Sequence, residues 1–79
     1  MTDRKREAFA RLVPKRVEKL RDQLRILGNC SNRSNYEWKP EIIRPLFALL
    51  FLEFIQTAKL FGVTVSATVD GQDVHLFDN

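Results

Sequence analysis

One cysteine, one histidine, three glycines and no long apolar span set the first limits on this chain of 79 residues. A lone Cys30 cannot form an intramolecular disulfide and fits a reducing compartment. With His75 as the only histidine, no metal-ligand spacing exists, and no glycine-rich phosphate loop is present. A Cys30–His75 nucleophile pair would need two distant segments to meet in a chain too small for a deep pocket. Catalysis, a metal and a cofactor are therefore not expected. The first residues are polar and charged, so no secretion signal is expected, and the anticipated location is cytoplasmic. Without secretion, the glycosylation-type triplets Asn29-Cys30-Ser31 and Asn32-Arg33-Ser34 carry no meaning. The apolar run Leu46 to Leu52 falls well short of the roughly 20 residues that cross a bilayer, so it reads as a core helix and no membrane partner is expected.

What is present divides by charge. Residues 1–25 hold nine Lys/Arg against four Asp/Glu, while the remainder holds four against six. The N-terminal segment is the basic end of the molecule, a solvated face or a surface for nucleic acid. Its apolar residues Val13, Val17, Leu20, Leu24 and Leu27 recur at steps of 4, 3, 4 and 3, with Phe9 one turn earlier, which predicts an amphipathic helix over about 3–27. Pro14 interrupts it, predicting a short helix before a longer one, or a single kinked helix. Gly28 is expected to supply a left-handed stop.

A second helix is expected over about 40–61, starting near Pro40 and ending at Gly62. It is apolar on more than one face and so needs surrounding, by the rest of this chain or by a second copy. The tail then changes period. Val63, Val65, Ala67 and Val69 alternate with polar residues before Asp70-Gly71, predicting a β-hairpin over 63–77. A two-residue turn pairs Val69 with Gln72, Ala67 with Val74 and Val65 with Leu76, leaving Thr68, Asp73, Ser66 and His75 on the other face. The expected fold class is α+β. It is a single small domain of two or three helices in a helical hairpin or bundle, with a C-terminal two-stranded β-hairpin. The expected core joins Phe9, Val13, Val17, Leu20, Leu24 and Leu27 to Phe47, Leu50, Phe51, Phe54 and Phe61, with Val65, Ala67, Val74 and Leu76 from the hairpin.

Between the helices lies an Asn/Ser-rich connector, 28–39, that also carries Arg33, Tyr36 and Trp38. It is too long for a helix-turn-helix, whose turn spans roughly 3–4 residues. Ser34-x-x-Glu37 has capping-box spacing, but Pro40 follows too closely for more than one helical turn. Tyr, Trp and Arg dominate interface hot spots, which makes Arg33, Tyr36 and Trp38 candidate partner anchors, with Arg16 and Lys19 as steering charges. The same rings suit capping of the small core where the helices splay, and packing is the favoured expectation for at least one of them. Alternatively Arg11, Lys15, Arg16, Lys19 and Arg33 contact nucleic acid while the aromatics stack on bases.

The stretch Leu27-Gly28-Asn29-Cys30-Ser31-Asn32-Arg33-Ser34-Asn35-Tyr36-Glu37-Trp38 resembles a motif of small bacterial proteins carried by phages, plasmids and conjugative elements. Those proteins have a basic helix, an Asn-rich loop ending in Tyr-Glu-aromatic, and a second helix, and the resemblance spans about residues 15–61. The second helix here is more hydrophobic than the family's, and the hairpin is an addition. The resemblance implies a protein-binding regulator or inhibitor, by analogy anti-CRISPR-like, that occupies a host protein or ribonucleoprotein complex. A small basic nucleic-acid-binding accessory protein is the alternative. A homodimer through the apolar second helix or the hairpin edge is a further expectation. With its positive charge, the chain is not expected to mimic DNA.

Overall fold

The computed structural model describes residues 2–75. Helix α1 (Thr2–Gly28) is followed by a single 3-10 turn (Asn29–Ser31), helix α2 (Pro40–Leu60) and strands β1 (Ala67–Val69) and β2 (Gln72–Val74). These are the expected α+β elements, with two long helices and an antiparallel hairpin. The chain divides after Glu37 into two compact units, the first holding α1 and the second holding α2 with the hairpin.

α1 runs unbroken through Pro14, so of the two expectations the single helix holds and the division does not. The proline deprives the carbonyl of Ala10 of its helical donor, but strong helix formers on both sides, among them Arg11, Leu12, Lys15 and Arg16, sustain the helix. Asp3 in the first turn and Arg25 in the last oppose the helix dipole favourably. Gly28 also differs from expectation. It sits at φ −59°, ψ −28°, in ordinary right-handed geometry, and the chain tightens into the 3-10 turn instead of reversing hand.

α2 starts as the sequence requires. Lys39 is extended, the conformation forced on a residue before proline, and Pro40 takes the first turn, where its missing N–H costs nothing. The N–H groups of Ile42 and Ile43 donate to the Lys39 carbonyl at 3.0 and 3.3 Å. At the other end, Gly62 adopts φ +73° and closes a Schellman motif. Its N–H donates to the Lys59 carbonyl at 3.0 Å, and Val63 donates to Ala58 at 2.9 Å.

The hairpin has the expected register, pairing Ala67 with Val74, Thr68 with Asp73 and Val69 with Gln72. Asp70 and Gly71 both take positive φ, 50° and 82°, as a two-residue turn demands. The expected Val65–Leu76 pair reaches outside the described residues. Two strands of this length are marginal alone, and both pack on α2. Ala67, Val69 and Val74 are half-buried, while Thr68 and Asp73 are exposed.

The core is thinner than the sequence implies. Among the described residues only Ile55 is buried, at 7% exposure, flanked on the same face of α2 by half-buried Ala48, Phe51, Leu52 and Ala58. The rings of Phe51 and Phe54 lie tilted at 44° with centroids 6.3 Å apart, a favourable aromatic arrangement. Val13, Leu50, Phe51, Ala67 and Val74 of the expected core are half-buried. Phe9, Val17, Leu20, Leu24, Leu27, Phe47, Phe54, Phe61 and Val65 are instead exposed. Taken by itself, the first unit holds one helix and a single turn. α2 keeps an outer apolar face of Ile42, Leu46, Leu49 and Leu60 opposite Ile55.

Candidate binding site

The connector is an ordered turn. Asn32 organises it: its side-chain Oδ1 accepts the Ser34 N–H at 2.9 Å, the hydrogen bond of an Asx turn. Its backbone carbonyl accepts the N–H groups of Asn35 at 3.1 Å and Tyr36 at 3.0 Å. Three residues, Ser34, Asn35 and Tyr36, are thereby fixed by one asparagine, and the Ser34–Glu37 spacing forms no helix. Arg33 and Tyr36 ride on this turn, and both are exposed, Tyr36 at 52%. Trp38 begins the second unit and is half-buried.

Trp38 borders an open groove of about 330 Å³ within the second unit. Its apolar lining is Trp38, Pro40, Ile43, Phe47, Phe51 and Val69, with Thr68, Arg44 and Asp70 as its polar part. The Arg44 Nε–H donates to Asp70 Oδ2, joining α2 to the hairpin turn. The hydrogen bond to Asp70 and then its charge raise the Arg44 pKa above its ordinary value, so the guanidinium is fixed as a cation. Both side chains are largely in water, where such a pair orients more than it stabilises.

On α1, the steering residues Arg16 and Lys19 share a shallow hollow of about 410 Å³ with Leu12, Lys15, Glu18 and Asp22. Asp22 pairs with Arg25 at 3.4 Å. Arg11 precedes Lys15 by one helical turn and is exposed on that side. Lys15, Arg16 and Lys19 are therefore brought together, as are Arg33 and Tyr36, whereas Trp38 belongs to the other unit. Cys30 is an exposed free thiol. No group of His, Cys, Asp and Glu among the described residues could hold a metal ion.

Sequence reasoning missed the groove and its Arg44–Asp70 pair. The Asp-Gly signal identified Asp70 as a turn residue, but nothing in a separation of 26 residues announces Arg44 as its partner. No family model matches this chain, and no curated protein or solved structure matches it either.

Proposed function

We propose that this chain is a non-catalytic, protein-binding regulator or inhibitor of mobile-element origin, anti-CRISPR-like in manner, acting by occupying a surface of a host nucleic-acid machine. Arg33, Tyr36 and Trp38 are its anchors, and Arg16 and Lys19 its steering charges. The observation that carries the reading is the Asn32 turn, which holds an exposed arginine and tyrosine on a hydrogen-bonded scaffold. Anchors fixed before binding lose less freedom on association, and Tyr, Trp and Arg are the residue types on which interface energy concentrates. Trp38 adds an apolar groove with the Arg44–Asp70 ion pair at its rim. The test is a tagged capture from bacterial lysate, divided into nuclease-treated and untreated halves and read by mass spectrometry. A defined complex retained after nuclease, and lost with Tyr36→Ala/Trp38→Ala, supports the reading.

A second reading has its own support in the clustering of Lys15, Arg16 and Lys19 on one helix surface. Direct nucleic-acid binding predicts a log affinity that falls linearly with log salt, with a slope near −0.9 per neutralised duplex phosphate. Charge reversal at those three residues then removes binding.

A further inference from the structure

We propose that Asp70-Gly71 is a latent modification site, closed by the hairpin and by Arg44, at which the chain isomerises to an isoaspartyl form. The proposal is independent of the regulator reading. Of the Asp and Asn residues in the sequence, Asp70 alone precedes glycine. Glycine has no side chain to hinder its own backbone nitrogen, so this dipeptide is the one best suited to ring closure. In that reaction the Gly71 nitrogen attacks Cγ of the protonated Asp70 carboxyl. The Cγ–N bond forms, a Cγ–O bond breaks, and the hydroxyl leaves with the amide proton as water. Water then adds to the former backbone carbonyl of the succinimide and breaks its bond to the Gly71 nitrogen. The chain now runs through Cβ and Cγ, with a free α-carboxyl and no net change in atoms.

The fold withholds the reactive geometry. Ring closure requires the Gly71 nitrogen to eclipse Cβ across the Asp70 Cα–C bond. Asp70 and Gly71 take φ 50° and 82° in a two-residue turn, the mirror image of type I, which sets Asp70 ψ at about +30°. There the nitrogen stands nearly opposite Cβ, out of reach of Cγ. Arg44 adds a second restraint, its Nε–H donating to Asp70 Oδ2 and holding the carboxyl on α2. All these groups belong to the second unit. Asp70 therefore reacts only when the hairpin opens and ψ is free to turn. Strands this short, seated on α2 by half-buried Ala67, Val69 and Val74, open locally at lower free energy than the whole fold. The product cannot close again as before. The isoaspartyl link adds one backbone methylene, so a two-residue turn no longer joins Val69 to Gln72 and the register is lost. Val69 lines the groove beside Trp38, so the change also alters that lining.

The test incubates the full chain at neutral pH with mild warming, both folded and in guanidinium chloride. Isoaspartate at residue 70 is read by peptide mapping with fragmentation that separates the two linkages. Conversion of the folded chain is expected to be at least about tenfold slower than in denaturant, because a minor open state holds roughly 10% of molecules or fewer. Val74→Ala thins the packing of β2 and leaves Asp70-Gly71 untouched, and should raise the folded rate about fivefold. Arg44→Gln, which frees the carboxyl without unfolding the chain, should raise it about twofold. Circular dichroism of each variant before incubation checks that the helices persist. Equal rates in the folded and denatured native chain overturn the proposal, because the turn then closes nothing. So do equal rates in the native, Arg44→Gln and Val74→Ala chains, or the absence of isoaspartate at residue 70 in denaturant.

Discussion

α1 and α2 are helices of similar length with opposite relations to their surroundings. α1 is highly charged and carries a single apolar stripe, which no element of its own unit covers. α2 is apolar on most sides, and the hairpin that follows it packs on one of them. Both sequences determine a helix; within its own unit only α2 is followed by strands that lie against it. Periodicity reports which face seeks cover, whereas the chain beyond the helix decides whether cover comes from within.

The largest test of that contrast is burial. Ile55→Ala removes the one buried side chain among the described residues and should cost about 2–5 kcal/mol, whereas Leu20→Ala on the exposed stripe should stay within about 0.5 kcal/mol. Denaturant titrations followed by Trp38 fluorescence for Ile55 and by helical ellipticity for Leu20 would show it. Equal costs would mean the stripe of α1 is as well covered as Ile55. Next comes Pro14→Ala, which restores a hydrogen bond to Ala10 within α1 and should raise its helix stability by up to about 3 kcal/mol, read as helical ellipticity during thermal melting.

The two helix-end glycines should then respond with opposite signs. Gly62→Ala places a Cβ at φ +73°, with nothing nearby for it to strike, so the cost is purely conformational, about 1 kcal/mol. Gly28→Ala, at φ −59° and also in open space, should stabilise by up to about 1 kcal/mol. Thermal melting of both variants checks the pair of signs. The smallest effect is expected for Arg44→Gln, which severs the link to Asp70 in solvent. Its melting temperature should match that of the native chain, and a clear drop would show that the pair fastens the hairpin to α2.

Much of the fold was legible because each element carries its own local chemistry. The Asp70-Gly71 turn and the alternation around it determine the hairpin register without reference to anything distant. Gly62 ends α2 because the Schellman geometry there needs positive φ. Gly28 misled because a glycine at a helix end permits left-handed geometry without requiring it. Pro14 left a divided or a single helix open, and the strong helix formers on both sides decide for the single one. The expected core was legible only as fitness for burial, because a stripe does not say which element lies against it. Within the site, Arg33, Tyr36 and Trp38 stood out by residue type, but the role of Asn32 in pinning the turn did not, since any of the surrounding Asn and Ser residues could have served.

The central claim, a proposal, is that Tyr36 on the Asn32 turn and Trp38 in the second unit each serve partner binding, not the core. The most direct measurement compares native chain and Tyr36→Ala/Trp38→Ala side by side, by circular dichroism and thermal melting and by capture from nuclease-treated lysate. The prediction is an unchanged helical spectrum, a melting temperature close to native, and loss of the captured complex. A double variant that unfolds while its native counterpart captures nothing would contradict the claim and assign both rings to the fold.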